Sequence, residues 1–141
     1  MKYYLNSSVG FKWVVPEVDS DKALRLRDGF RNSVHELLAP DVFPIELGHA
    51  LTRAERQGRV TAANGWALWL GVMADSPHLF PSIPLMPRAY EISSRMRVGI
   101  YDCLYVALAE REKCELVTAD DKLIKNLQSQ FPFLVALASL P

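Results

Sequence analysis

The sequence predicts an α/β fold, a three-layer sandwich in which a short-stranded parallel sheet is flanked by helices. Short β-prone segments alternate with longer segments of helical periodicity, which is the pattern of successive βαβ units. Acidic residues also follow several of these segments, at the places where ligands bind in open α/β sheets. A chain of 141 residues suits one compact core, so we expect a single domain over residues 1–141.

Strands are predicted where short apolar runs are bounded by polar or turn-forming residues. The run at residues 80–85 contains Pro81 and Pro84, so any strand there is short or lies at an edge of the sheet. The predicted strands are residues 2–5, 36–39, 80–85, 115–118 and 133–137.

Helices are predicted from apolar residues at helical spacing and from start and stop signals. Pro44 opens a helix that runs to about Gln57, because proline is favoured at the first helical position, and Gly58 ends it. Thr61 caps the next helix, which extends to at least Met73. The other predicted helices are residues 21–31, 87–96, 101–113 and 121–128.

The composition argues against several classes of protein. The chain carries 16 basic and 16 acidic residues, which argues against a strongly basic nucleic-acid-binding surface but not against a local basic groove. No apolar run approaches the roughly 20 residues that span a bilayer, and the N-terminus is too soon polar for a signal peptide. We therefore expect a cytoplasmic protein. Cys103 and Cys114 form no CxxC pair, so we expect buried free thiols rather than a zinc site.

Four polar residues occupy equivalent places at the carboxyl edge of the predicted sheet. Asn6 ends the first strand, and Asp120 follows the fourth. Glu46 and Asp102 each lie in the first turn of a helix. Strand ends and the helix starts that follow them share one edge of a parallel sheet, so these side chains can converge. Acids that meet there with few cations nearby predict a site for a divalent metal ion.

Helix capping is the alternative explanation for the same acids. A carboxylate in the first turn of a helix is stabilised by the helix dipole, typically by about 0.3–1 kcal/mol. Thr118 and Asp121 also resemble a capping box. His49 shares a helix face with Glu46, and we interpret it as structural or as a group behind the metal ligands. A Glu-x-x-His metal centre needs a second copy of that motif, which the chain lacks.

Trp66 and Trp69 lie three residues apart on one helix, where they either pack into the core or form an exposed apolar face for a partner. The chain has no Gly-x-Gly-x-x-Gly motif and no Walker loop, so a nucleotide-binding Rossmann domain would lack its phosphate-binding loop. No Ser–His–Asp arrangement is recognisable either.

Four stretches of the chain resemble the motifs of the PIN domain family, in its small VapC-like form from toxin–antitoxin pairs. Residues 3–9 look like the family's opening, which normally contains Leu-Asp-Ser-Ser. Residues 39–51 resemble its second acidic motif. Residues 101–109 and 116–120 are close to the third and fourth motifs, and these two together are fairly specific. The resemblance covers nearly the whole chain.

The resemblance implies a metal-dependent endoribonuclease, the toxin of a toxin–antitoxin pair, assisted by one or two Mg²⁺ or Mn²⁺ ions. Glu46, Asp102 and Asp120 correspond to the family's catalytic acids, which hold the metal. Asn6 stands at the first acidic position as a weaker metal ligand, and Thr118 is a polar group behind the ligands. The implied partners are an RNA substrate, a cognate antitoxin and a second copy of the chain in a homodimer.

Asn6 is the departure from the family pattern, because an amide keeps a carbonyl oxygen but loses the charge. At 4 Å and an effective dielectric constant near 20, one unit-charge pair is worth about 4 kcal/mol. A fraction of that energy would weaken metal binding by about tenfold or more. The asparagine is either native to the chain or a substitution made so that a toxic nuclease can be expressed.

Two other functions therefore stay open beside the nuclease. One is a catalytically impaired PIN domain that binds an antitoxin or RNA, and the more remote one is a metal-dependent phosphatase-like domain. Lys12 and Arg53 are both candidates for holding phosphates.

Overall fold

A five-stranded parallel sheet organises the computed structural model, which describes residues 1–141. The strands stand in the order β3-β2-β1-β4-β5, and every neighbouring pair is parallel. The predicted α/β fold with a short-stranded parallel sheet is therefore confirmed. The strands are β1 (Lys2–Leu5), β2 (Glu36–Pro40), β3 (His78–Phe80), β4 (Glu115–Thr118) and β5 (Leu134–Ala136).

Seven α-helices connect and flank the strands. Six of them correspond to predicted helices, with bounds that differ by a few residues at most. Short 3₁₀ helices lie at Ile83–Leu85 and Leu137–Ser139. The α-helices are α1 (Ser7–Phe11), α2 (Ser20–Arg31), α3 (Phe43–Arg56), α4 (Ala62–Met73), α5 (Met86–Met96), α6 (Ile100–Glu112) and α7 (Asp121–Leu127).

Helix α1 was not predicted, because five residues are too few to show a helical period. Its start is fixed instead by Asn6, whose side-chain oxygen accepts a hydrogen bond from the backbone N–H of Ser8 at 3.1 Å. Asparagine is among the preferred residues at this capping position.

The strand predicted at residues 80–85 does lie at an edge of the sheet, but its predicted bounds were wrong. The strand lies at His78–Phe80, pairs only with β2 and ends before Pro81. Ile83–Leu85, which contains Pro84, is a 3₁₀ helix. Proline has no N–H to donate to a neighbouring strand, so the chain leaves the sheet where the prolines begin.

Two capping predictions need correction. Thr61 stands at the N-cap of α4, but its side chain makes no capping hydrogen bond. Helix α7 is capped by Asp120 rather than by a box of Thr118 and Asp121. The side chain of Thr118 is fully buried and turns back to accept a hydrogen bond from the N–H of Asp120 at 3.1 Å.

Helices cover both faces of the sheet. Successive residues of a strand point to opposite faces, and the neighbours Tyr4 and Leu5 of the central strand are both fully buried. Helix α6 is buried without interruption from residue 103 to residue 109, because it is packed between the sheet and α5. The central strand β1 and helix α6 therefore fix the backbone that carries Asn6 and Asp102.

The cysteines and the tryptophans divide between the core and the surface. Both cysteines are free thiols, as predicted, but only Cys103 is buried, whereas Cys114 is partly exposed. Trp66 is 64% exposed, so the core interpretation is wrong for it, while Trp69 is partly buried and packs against the core. No helix has the length and apolar character needed to cross a membrane.

Gly10 provides a test of how tightly α1 is held against α3. A Cβ atom at this position would lie 2.8 Å from Cζ of Phe43, which is fully buried and has little room to move. Overpacking typically costs about 1–3 kcal/mol, and better helix propensity returns up to about 1 kcal/mol. We therefore expect Gly10→Ala to lower the free energy of unfolding in urea by about 1–2 kcal/mol.

Gly71→Ala is the matched control, because it also lies within a helix and its nearest neighbour, Val14 Cγ1, is 3.9 Å from the added Cβ. This variant should gain up to about 1 kcal/mol from helix propensity alone. Equal stability of the two variants would contradict tight packing of α1 against α3.

Candidate active site

One cleft of about 770 Å³ lies at the carboxyl edge of the sheet. All four residues singled out from the sequence line it, so the structure brings the whole predicted set together. The order of the strands explains the convergence, since β1 and β4 are neighbours and the N–H of Asn6 bonds the carbonyl of Val117 at 3.0 Å. The polar residues facing the cleft include Asn6, Glu46, His49, Arg53, Asp102 and Asp120.

Asn6 is 3% exposed, and its two amide atoms have different surroundings. The oxygen caps α1 by accepting from Ser8, whereas the nitrogen Nδ2 is buried and has no hydrogen-bond partner. This nitrogen lies near Asp102 without forming a well-shaped hydrogen bond. Asn6 therefore presents an N–H donor to Asp102. An aspartate at position 6 would place a negatively charged oxygen there instead.

Glu46 occupies the first turn of α3, which begins at Phe43–Pro44 as predicted to within one residue. Burial raises the pKa of the Glu46 carboxyl from its ordinary value of 4.5 to about 7, and the charge of Asp102 acts in the same direction. The hydroxyls of Tyr105 and Ser7 partly oppose this rise. One carboxyl oxygen, Oε1, is buried without a hydrogen-bond partner. The buried Tyr105 hydroxyl beside it also has no partner of good geometry, so either a small shift of that hydroxyl or a cation would satisfy the oxygen.

Asp102 lies in the first turn of α6. Burial raises the pKa of its carboxyl, the nearby Asp120 charge raises it further, and the Asn6 amide acts in the opposite direction. The side chain makes no capping hydrogen bond at the start of α6, whose N-cap is Gly99. Capping hydrogen bonds therefore do not explain this carboxylate.

Asp120 does serve as a helix cap. Its Oδ1 accepts from the N–H groups of Lys122 at 3.0 Å and Leu123 at 3.2 Å at the start of α7. The second carboxyl oxygen takes no part in the cap. Capping thus occupies one oxygen of this residue, a role that was predicted for the box of Thr118 and Asp121 instead, and the other oxygen remains available to the cleft.

A pair of hydroxyl groups joins the two strand ends, and the sequence analysis assigned no role to one of them. Ser8 Oγ accepts from the N–H of Ala119 at 3.0 Å and lies 3.5 Å from Thr118 Oγ1. Thr118 supports the backbone of Asp120, so it stands behind the acids as predicted. The Ser-Ser pair that follows Asn6 was the available signal for Ser8, but small polar residues after a strand are common in any turn.

The cationic side of the cleft is partly neutralised. Lys12 Nζ lies 3.2 Å from Glu17 Oε1 and donates to the carbonyl of Val18 at 2.8 Å. Arg59 binds the other oxygen of Glu17, and the pKa of the Glu17 carboxyl is lowered by these partners despite its burial. Glu17 and Arg59 were not singled out from the sequence, because their pairing joins segments 42 residues apart.

The donor set suits a hard divalent cation, and it does not form a closed coordination sphere. Its groups are carboxylates, which Mg²⁺ and Mn²⁺ prefer, and Glu46 presents a buried oxygen without a partner. No three His, Cys, Asp or Glu side chains stand close enough together to form a ready-made metal site.

Solved structures match the fold over nearly the whole chain. The crystal structure of PAE2754 from Pyrobaculum aerophilum has a TM-score of 0.70 and 20% sequence identity, over 99% of this chain and 94% of that one. The structure of VapBC2 from Rickettsia felis, bound to a DNA fragment from its promoter, has a TM-score of 0.62 and 16% identity, over 96% and 97% of the two chains. At these identities the likeness is one of fold.

Sequence relatives add a closer connection. A VapC ribonuclease of Mycobacterium bovis is 31% identical over 125 residues, which are 86% of this chain and 97% of the relative. Ribonuclease VapC1 of Mycobacterium tuberculosis is 33% identical over 104 residues, 72% of this chain and 74% of the relative. The family model described as PIN domain matches residues 3–127, a stretch that contains all four candidate residues. By fold, sequence identity and matched motifs, the chain belongs to the PIN domain family.

Proposed function

We propose that the protein is a metal-dependent endoribonuclease and the toxin of a toxin–antitoxin pair. The observation that carries the proposal is the gathering of Glu46, Asp102 and Asp120 with Asn6 in one half-buried cleft. The relatives named as ribonucleases support the reaction class, and they align over most of this chain.

Glu46, Asp102 and Asp120 would hold one or two Mg²⁺ or Mn²⁺ ions, with Asn6 as a weaker ligand. When bound, such an ion polarises the scissile phosphodiester and lowers the pKa of water for attack on phosphorus. The chain's own contribution is position and desolvation. Burial strips water from Glu46 and Asp102, which strengthens the attraction of their ionised forms for a cation, although the cation must displace the proton that Glu46 holds up to a pH of about 7.

Asn6 weakens this site in two ways. It withholds one negative charge, and its cleft-side amide atom is a donor that cannot bind a cation. The charge left on three carboxylates still supports binding, at reduced affinity. We therefore propose a nuclease with low activity that depends steeply on metal concentration.

A catalytically impaired module that binds RNA or an antitoxin is the second candidate. Asn6 and the lack of a ready-made group of three metal ligands both favour it. Cleavage of RNA by the protein in Mn²⁺ distinguishes the nuclease from this module.

The partners follow from the same proposal. We propose an antitoxin partner, which the VapBC2 neighbour supports, and we further propose that a segment of it covers the acidic cleft and that the protein is a homodimer in the cytoplasm. The exposed apolar face of α4, formed by Trp66 and Leu70, supports an interface of the homodimer. These side chains are 64% and 49% exposed, and the ring of Trp66 stacks on Trp69 with centroids 4.8 Å apart.

The first test restores the missing carboxylate. Asn6→Asp keeps an oxygen for the cap on Ser8 and replaces the unpartnered nitrogen by a second oxygen. We expect tighter Mn²⁺ binding by about tenfold or more, and faster cleavage of single-stranded RNA. Calorimetric metal titration and gel assays over a Mg²⁺ and Mn²⁺ series measure the two effects.

Asp102→Asn is the control in the parent background, because it removes a proposed ligand at nearly constant volume. This variant should bind Mn²⁺ more weakly and cleave more slowly than the parent. Equal cleavage by the parent, Asn6→Asp and Asp102→Asn would refute the metal-dependent mechanism.

The second test follows from the raised pKa of Glu46. Its folded-state pKa of about 7 exceeds the ordinary value of 4.5, so the folded protein retains a proton that the unfolded chain loses between these values. The contribution of Glu46 to the free energy of unfolding, in the absence of metal, should therefore be greatest below pH 4.5. It should fall by roughly 2–3 kcal/mol as the pH rises through 7. Saturating Mn²⁺ should oppose the fall, because it binds the ionised folded form.

Glu46→Gln is the control, since an amide cannot lose the proton. Urea unfolding from pH 5 to pH 8 in EDTA should show a flatter profile for this variant. Glu17 and Glu110, whose pKa values are lowered, affect stability only at more acidic pH. Parallel pH profiles for parent and variant would show that Glu46 is not desolvated in solution.

The third test concerns the homodimer. The parent should sediment as a dimer, and Trp66→Ala should weaken association by at least tenfold, because the indole is a large apolar contact. Tyr90→Ala, on the exposed side of α5 and 67% exposed, is the matched control and should leave association unchanged. A monomeric parent, or equal effects of the two variants, would contradict an interface on α4.

A further inference from the structure

Arg53 is the cation of the cleft that lacks an acidic partner. It lines the cleft beside the candidate acids and also the adjoining cavity of about 300 Å³, which His49, Ala50 and Arg59 share. The protein forms nine salt bridges, and Arg53 takes part in none of them. Its guanidinium therefore remains free to bind an anion.

The other cations near Arg53, which are Lys12 in the cleft and Arg59 in the adjoining cavity, already have an acidic partner. Lys12 and Arg59 share the two oxygens of Glu17, and Lys12 also binds a backbone carbonyl. Arg59 in addition stands over the ring of Phe11, with its guanidinium carbon 5.7 Å from the ring centroid. Glu17 already offsets part of the positive charge of these two side chains, whereas no carboxylate offsets that of Arg53.

The position of Arg53 on α3 sets the place of the anion. Glu46, His49, Ala50 and Arg53 line the same cleft because they recur at the spacing of one helix face. Arg53 lies about two turns, or roughly 10 Å along the axis, beyond Glu46. Helical side chains lean toward the N-terminus, which is the end of α3 that carries Glu46.

We propose that Arg53 binds the phosphate next to the scissile one in single-stranded RNA, and so sets the position of the substrate along α3. The proposal rests on the nuclease function proposed above. A guanidinium binds a phosphate through two parallel hydrogen bonds, so it fixes orientation as well as supplying charge. Arg53 is in this sense a positioning residue, and the acids remain the groups that face the reacting phosphate.

Binding without cleavage tests the proposal separately from the nuclease function. The probe is a fluorescein-labelled single-stranded RNA of ten nucleotides, followed by fluorescence anisotropy in EDTA over a series from 50 to 200 mM KCl. Arg53→Gln should weaken binding roughly tenfold at the lowest salt, because it removes hydrogen bonds to a charged group. The slope of log K against log salt should fall by about 0.7, which corresponds to one phosphate contact on a single strand.

Arg56→Gln is the matched control. Arg56 lies on the same helix, is exposed, forms no salt bridge and does not line the cleft. It should change neither the affinity nor the salt slope beyond the small effect of one distant charge. Arg53→Lys should keep the slope and recover only part of the affinity, because lysine retains the charge but not the paired hydrogen bonds.

A second measurement identifies the phosphate. In Mn²⁺, RNAs that carry one uncharged methylphosphonate at successive positions should be cleaved more slowly by the parent when the phosphate next to the scissile one is replaced. Arg53→Gln should cleave the RNA with a methylphosphonate at that position as fast as it cleaves unmodified RNA. The substitution in the protein and the methylphosphonate in the RNA would remove the same contact.

Equal binding by Arg53→Gln and Arg56→Gln, or no RNA binding by the parent, would overturn the proposal. A second outcome separates the two proposals. If Arg53→Gln binds RNA more weakly than Arg56→Gln, but neither the parent nor Asn6→Asp cleaves RNA, the nuclease function is refuted and the contact of Arg53 with RNA stands.

Discussion

Desolvation of carboxylates at the carboxyl edge of the sheet is the constraint on which the rest of the molecule depends. Helix α6 is buried along two turns and β1 is the central strand, so the backbone that carries Asp102 and Asn6 cannot shift outward to relieve repulsion. Water would stabilise the ionised acids, and burial withholds it. The fold therefore holds these carboxyl groups where their ionised forms are poorly solvated, which raises the pKa of Glu46 and of Asp102.

The hydroxyl groups behind the acids make this arrangement rigid. Ser8 and Thr118 tie the end of β4 to the start of α1, while Asp120 ties the same loop to α7. Each of these bonds joins one secondary-structure element to another. A displacement of Asp120 would break its own bond to Thr118 and the two bonds that cap α7.

The sequence predicted the elements that have strong local signals. Alternating short and long apolar segments identified the parallel sheet, and the rule that strand ends meet at one edge was enough to place Asn6, Glu46, Asp102 and Asp120 around one cleft. Helix α1 was missed because its five residues show no period, and the extent of β3 was misjudged because pairing with β2 decides where it lies. Both depend on tertiary contacts.

Properties that arise only from side-chain packing were beyond prediction from the sequence. The burial that raises the pKa of Glu46 comes from several elements at once. The hydrogen bond between Arg59 and Glu17 joins segments that are distant in the sequence. Only the folded structure shows that Arg59 has an acidic partner and that Arg53 has none. Helical spacing alone also left the exposure of Trp66 undecided, because it defines a face but not what covers that face.

The cap that Asn6 provides for α1 makes position 6 unlike the other three positions of the cleft. Asparagine and aspartate are about equally good at an N-cap, so the charge at this position can be gained or lost while the helix start is kept. At Asp120 a change of the same kind would also weaken the two-bond cap of α7, whereas Glu46 and Asp102 make no capping hydrogen bond at all. Position 6 is therefore the one place in the cleft where the charge can change while the capping bond of the adjoining helix is kept, so a substitution there separates the electrostatics of the cleft from the start of α1.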